Sequence, residues 1–142
     1  RRRILRPQSE RWIFYARFQE KILITLSHGA IQAFFAVLAG AFGAHGLENI
    51  LNDYSLRIWH TAAQYQITHA LALLLLGVIE EQKKTKLSLV HWCFGLGILL
   101  FSGSLYALAL SGIRPLGMIT PLGGTAFLIG WLSLAWKCFR QR

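Results

Sequence analysis

Four stretches without a charged residue constrain this chain more than anything else in it: residues 22–47, 58–79, 87–113 and 115–136. Each reaches or exceeds the roughly 20 residues a helix needs to cross the hydrocarbon core of a bilayer. None alternates apolar with polar residues as a strand would. An open sheet edge could not face lipid in any case, because its backbone groups would find no partners. The expected fold class is therefore all-α, an integral membrane four-helix bundle of four transmembrane helices, and 142 residues suit one such domain. The connections are LENILNDYSLR, EEQKKTK and SGIRPLG.

Orientation follows from the cations. Arg1, Arg2, Arg3, Arg6, Arg11, Arg17 and Lys21 precede the first run. Lys83, Lys84 and Lys86 fill the middle connection, and Lys137, Arg140 and Arg142 form the tail. The first and third connections hold one cation each, Arg57 and Arg114. Cytosolic loops collect Lys and Arg, so both termini and the middle connection are expected in the cytosol. The net charge of +9 is read as topology and not as nucleic-acid binding, since no basic patch interleaved with aromatics lies on a globular face. Residues 11–21, RWIFYARFQEK, mix aromatics with cations and are expected in the membrane interface. Residues 1–21 thus form a basic aromatic lead to a four-span domain at 22–142. The first run is too long for the apolar part of a signal peptide and is read as a retained span. Cys93 and Cys138 fall near the cytosolic side, where thiols stay reduced, and two cysteines make no disulfide framework.

Lipid tails are as apolar as leucine, so close backbone approach, and not burial, draws helices together in a membrane. Small residues permit it. Ala36, Gly40 and Ala44 recur at four-residue spacing in the first run, with Ala33 and Gly43 on the same side. Gly103, Ala107 and Ser111 do so in the third, and Ala126 and Gly130 in the fourth, which also carries Gly123 and Gly124. These positions are the expected helix contacts.

Polar residues are costly in hydrocarbon, so their depth is informative. They crowd the outer half. In WHTAAQYQITHALALLLLGVI, His60, Gln64 and Thr68 share one helical face, with Tyr65 and His69 beside it. Gln66 points elsewhere and asks for another helix or another subunit. Thr120 either caps a helix that starts at Pro121 or precedes a proline kink in a continuous helix. A capped start would aim unpaired amides into the outer region and favour an anionic or lone-pair-bearing group. The candidate ligand site is His45, His60, Gln64, His69, Ser102, Ser104, Tyr106 and Thr120 around one outward-facing cavity. The competing reading is interhelical hydrogen bonding without a ligand, at about 0.6 kcal/mol per bond on average.

The inner half is sparser. His28 and Gln32 lie one turn apart, and His91 and Cys93 open the third run. A structural zinc site wants four ligands at recognisable spacing, and none is present. Bis-histidine haem would need His45 and His60 to converge. No Ser-His-Asp set, paired intramembrane carboxylates or phosphate loop occurs, and Glu48 and Asp53 are exposed candidates only. No cofactor or metal and no enzymatic activity is expected.

The motifs GAFGAHGL, WHTAAQYQITHALALL, LFSGSLYALALSG and ITPLGGTAFLIGW, in that order over about residues 24–136, resemble the family known as domain of unknown function 423. That family includes the bacterial YgdD-like and eukaryotic transmembrane protein 256-like proteins. The matching residues are Gly40, Gly43, His45, Gly46, Gln64, Tyr65, His69, Ser102, Gly103, Ser104, Tyr106, Thr120, Pro121, Gly123 and Gly124. The resemblance implies a small four-span inner-membrane protein, bacterial or mitochondrial, and no reaction. Small size, short connections and an unpaired Gln66 favour an accessory or structural subunit of a larger membrane assembly. The alternative is a binding or transport module for a small ligand in the polar cavity, although no inverted repeat is evident. The partners expected are the lipid bilayer and either other membrane-protein subunits or further copies of the chain, with no nucleic acid.

Overall fold

The computed structural model describes the backbone of residues 8–140 and the side chains of residues 15–140. The cations Arg1, Arg2, Arg3, Arg6 and Arg142 and the side chain of Arg11 lie outside those residues. Among the described residues, all regular structure is helical. Helix α1 is Gln8–His45 and α2 is Asp53–Lys83. The third span is built from α3 (Ser88–Gly97), one π-helical turn (Ile98–Ser102) and α4 (Gly103–Ser111). A 3-10 turn at Arg114–Met118 leads into α5, Thr120–Arg140. Four segments are long and apolar enough to cross a membrane: Tyr15–His45, Asp53–Lys83, Ser88–Ser111 and Arg114–Arg140.

Local chemistry explains where the helices begin and end. Asn52 stands before α2 with its side-chain oxygen 2.9 Å from the amide of Ser55, an N-cap for the first turn. Lys84 turns the chain through the left-handed region at φ 47° after α2. Gly112, at φ 69°, ends α4 while its amide donates to the Leu108 carbonyl at 2.9 Å, the role for which glycine is favoured. The start of α3 is capped from a distance. Glu80, near the end of α2 and buried, accepts the Leu87 amide at 2.6 Å and the Thr25 hydroxyl at 3.4 Å.

Successive spans run antiparallel, and each packs on the one before. Helix α2 is the centre: about half of its apolar stretch is buried inside the chain, far more than in α1 or the fourth span. Helix α1 lies along α2 and α5 along α3 and the π turn, while α1 and α5 share no extensive face. The half that carries the termini and the 84–87 connection is filled by Ala72, Leu73, Leu76, Leu87, Val90, Phe94, Ile98 and Phe127. The opposite half, towards the first and third connections, centres on Leu47, Trp59 and Ala109.

The small residues divide. A methyl added to Gly123 would strike the Phe101 backbone, and at Gly130 it would meet the Phe94 ring at 2.7 Å. Gly43 lies against the Trp59 and His60 rings, and Ala36 is buried. Gly40 and Gly103, expected as contacts, have nothing within 4 Å of such a methyl, Gly124 touches only the Phe101 ring at 3.8 Å, and Ala44 is exposed. Their spacing matches the stripe, but no neighbouring helix lies on that side of them. Gly29, packed on the Leu74 backbone at 2.9 Å, and Gly97, packed on Phe127, are contacts the four-residue stripes did not include.

The fourth span resolves the proline alternatives. The helix starts at Thr120, after a separate 3-10 turn, and does not continue through a kink. The Thr120 hydroxyl pairs with Ser104 Oγ at 2.8 Å, so it ties the helix start to α4 and does not serve as an N-cap.

Candidate functional site

A row of polar side chains crosses the interior between the first three spans. Tyr106 on α4 donates its hydroxyl to Gln66 Oε1 on α2 at 2.9 Å. Gln66 Nε2 donates to Gln32 Oε1 on α1 at 2.8 Å. Gln32 Nε2 is 3.4 Å from His28 Nε2, one turn further along α1. The His28 ring then faces His91 of α3, with 5.2 Å between centroids. Gln66 is buried, and its partners are two other helices of the same chain. Of the two expected partners, another helix or another subunit, Gln66 thus finds the first within the chain.

The row joins two hollows. On the side of the first and third connections, α1 and α4 diverge over a groove of ≈ 660 Å³ with walls of Phe35, Leu38, Ala39, Phe42, Ala107 and Leu110. Trp59, Gln66 and Tyr106 complete the lining. Trp59 is anchored by its indole N–H to the Ala39 carbonyl at 2.7 Å and packs on Tyr106 with centroids 4.5 Å apart. On the termini side, a smaller pocket of ≈ 200 Å³ is lined by Lys21, Thr25, Glu80, Lys86, Ser88 and His91 among apolar residues. Nδ1 of His91 is buried and makes no hydrogen bond.

His69 belongs to a separate cluster. Its Nδ1 is 2.8 Å from the Tyr65 carbonyl, and its Nε2 accepts the Trp131 indole N–H at 3.2 Å. A carbonyl only accepts, so Nδ1 carries the proton and the ring is neutral with both nitrogens engaged. The ring stacks on Phe127 at 3.4 Å and meets Phe94 edge-on. This arrangement bonds α2 to α5.

The eight residues expected around one cavity are dispersed. His45, His60 and Gln64 are exposed on the outside of the bundle. Ser104 and Thr120 bond to each other, Tyr106 joins the polar row, and His69 joins α5. Ser102, which closes the π turn, is buried, and its hydroxyl makes no hydrogen bond. The reason is the rotation of α2. Its buried face is Trp59, Ala62, Ala63, Gln66, His69, Ala70, Leu73 and Leu76, so the His60–Gln64–Thr68 face turns outwards. Ala62, Ala63 and Ala70, small residues around Gln66, were the legible sign of the inner face. Thr61 and Thr68 bond to the Arg57 and Gln64 carbonyls of their own helix. Among the described residues, no group of three or more His, Cys, Asp or Glu side chains stands close enough to hold a metal ion.

Four apolar helices and a polar interior define the class: a small helical multi-pass membrane protein. The chain belongs to the family described as protein of unknown function DUF423, whose family profile matches residues 39–124. It is 48% identical to a UPF0382 membrane protein of Staphylococcus saprophyticus over 84% of this chain and 98% of that protein. It is 46% identical to the UPF0382 membrane protein YwdK of Bacillus subtilis over 80% of this chain and 93% of the relative. A UPF0382 membrane protein of Haemophilus influenzae is also 46% identical, over 80% and 91% of the two chains. These relatives are bacterial membrane proteins, and the inner membrane is the location consistent with four helical spans. No solved structure matches the chain.

Proposed function

We propose that the protein is a non-enzymatic subunit that docks onto another intramembrane helix through the exposed polar face of α2. The observation that carries this reading is Gln64. It lies within the apolar run 58–79, about 16 Å along the helix from Asp53, and it is exposed. His60 is exposed on the same face one turn away. Threonines on that face satisfy themselves on their own backbone, but among the described residues no hydrogen bond engages the Gln64 amide side chain. An amide without partners in hydrocarbon costs several kcal/mol, and a hydrogen-bonding side chain on a neighbouring helix removes that cost. The partner this face suits offers an amide, hydroxyl or imidazole at the same depth, and a second copy of the chain is one such partner. Both termini face the cytosol in this reading, since the terminal sequence segments and the middle connection hold thirteen of the fifteen Lys and Arg.

Extraction in mild detergent followed by mass measurement tests it. The protein mass of the particle, with bound detergent subtracted, is expected to exceed the 16.0 kDa of one chain, and Gln64→Leu dissociates it while thermal unfolding is unchanged. A wild-type monomer sinks the reading.

The groove favours a second reading, a binding module for a lipid-like molecule with one polar head. Its walls are apolar and open towards lipid between α1 and α4, and its only amide and phenol, Gln66 and Tyr106, sit together in its lining. Native mass spectrometry is expected to find an adduct of lipid mass that Ala107→Phe, which fills the groove, removes. An adduct untouched by Ala107→Phe refutes it.

A further inference from the structure

The polar row has a direction. Every link donates the same way: Tyr106 to Gln66, Gln66 to Gln32, Gln32 to His28. An amide nitrogen only donates, so His28 Nε2 must offer a lone pair, and the row as it stands requires His28 to be neutral with its proton on Nδ1. At the other end the phenol donates inwards, and what Tyr106 turns to the groove is its oxygen lone pair.

We propose that protonation of His28 reverses the row and switches the groove from a site that accepts a hydrogen bond into one that donates it. Imidazolium carries N–H on both nitrogens and accepts nothing. Gln32 must then rotate its amide so that Oε1 faces His28. Its Nε2 now opposes Gln66 Nε2, and Gln66 must rotate in turn. Gln66 Nε2 then donates to the Tyr106 oxygen, and the phenolic O–H is released into the groove. No bond to carbon changes. One proton enters at His28 and stays there, and three hydrogen bonds exchange donor for acceptor. Each reversed state satisfies the same atoms, so the row has two arrangements and not a continuum between them.

The groups that bear on His28 come from each neighbouring element. His91 of α3 faces it at 5.2 Å. Glu80 of α2 is bonded to Thr25, one turn nearer the α1 start, and lines the termini-side pocket with His91, Lys21 and Lys86. Of the two histidines, His91 is the one that lines that pocket. Gly95 of α3 closes the other side, with only 2.9 Å between the His28 ring and a methyl built on it.

The consequence for the groove rests on the lipid-binding reading. At neutral His28 the groove favours a head that donates, such as an alcohol. At protonated His28 it also takes a head that only accepts, such as an ether or ketone, and an alcohol then accepts in place of donating. One net hydrogen bond raises the affinity of the acceptor-only head by about fivefold while the alcohol keeps its one bond in either state, so the preference between the two heads changes by about fivefold.

The switch itself is read without any ligand. Ultraviolet resonance Raman reports whether a phenol donates or accepts through its tyrosine doublet, and subtraction of Tyr106→Phe isolates Tyr106. In wild type reconstituted in lipid nanodiscs, the Tyr106 signal is expected to change from donor-to-amide to acceptor as pH falls from 8 to 4, in step with the 15N shift of His28. In Gln32→Leu, His28 is expected to titrate and Tyr106 to stay still. A wild-type Tyr106 signal that does not move down to pH 4 overturns the inference. So does a Tyr106 signal that follows pH equally in Gln32→Leu. Binding of 1-dodecanol and of its methyl ether is then measured at both pH limits. If neither binds while the Raman change occurs, the lipid-binding reading falls and the switch stands. If both bind with a preference that ignores pH, the groove consequence is overturned.

Discussion

Replacing Gly123 by alanine adds one methyl group where two helices touch backbone to backbone. The new carbon would overlap the Phe101 nitrogen and lie 2.8 Å from both Phe101 Cα and Cβ. Ordinary carbon contacts begin at about 3.5 Å, so α5 and the π turn must separate by about 0.7 Å or more. Backbone cannot rotate aside as a side chain would. A gap of that size forfeits about a quarter to a half of each contact it opens, and overpacking of this kind costs about 1–3 kcal/mol. Alanine's better helix propensity offsets about 0.8–1 kcal/mol. The net loss expected is about 0–2 kcal/mol, up to roughly 30-fold in the unfolding equilibrium. Gly40→Ala is the control, because a methyl there meets nothing within 4 Å. It keeps the propensity gain and should be neutral or stabilising by up to about 1 kcal/mol. Both variants are compared by unfolding in mixed micelles with increasing sodium dodecyl sulfate, followed by circular dichroism. Equal midpoints, or a Gly40→Ala midpoint below that of Gly123→Ala, would refute the helix contact as described.

Glu80→Leu leaves the Leu87 amide without its acceptor at a buried helix start. It should cost about 1–3 kcal/mol in the same unfolding assay, with Glu80→Gln recovering most of it through its remaining carbonyl oxygen. Ser102→Ala removes a buried hydroxyl that makes no hydrogen bond, so it should be neutral or stabilising by about 1 kcal/mol; a loss would mean that the hydroxyl has a partner. His69→Leu takes away the acceptor of the Trp131 indole, a bond of about 0.6 kcal/mol. A shift in Trp131 emission, read in a background with the other tryptophans replaced by phenylalanine, reports that loss.

The four spans were legible because a bilayer punishes charge at every position of a span, so an uninterrupted run is a strong signal. The packing surfaces were half legible. A small-residue stripe names a face, and a face becomes a contact only where another helix arrives, as at Gly43, Gly123 and Gly130 but not at Gly40 or Gly103. Glu80 was hidden by its place in a charged connection, although α2 extends to Lys83 and carries it inside. The π turn at Ile98–Ser102 left no mark in composition. One extra residue in a turn rotates everything beyond it, so the depth of Ser102 and Ser104 was readable and their direction was not.

The two glutamines of α2 differ in direction and not in depth. Gln64 and Gln66 lie two residues apart at nearly one depth, and polarity alone cannot rank them. The face of His60, Gln64 and Thr68 was read as inner because polar residues gathered on it. Hydroxyls weaken that argument, since threonine in a helix can bond its own backbone four residues earlier and needs no cavity. Thr61 and Thr68 do so. Removing them from the count leaves His60 and Gln64 on one face and Gln66 and His69 on the other. The alanines then decide, because only small neighbours let other helices come close enough to meet a buried amide. Ala62, Ala63 and Ala70 flank Gln66, and Gln66 accordingly finds Gln32 and Tyr106 within the chain. Gln64 is flanked by His60, Thr61 and Thr68, and it faces out. The amide left facing outwards is therefore that of Gln64 and not that of Gln66. Two residues on one turn of helix thus separate an amide that ties the spans together from one that faces outwards.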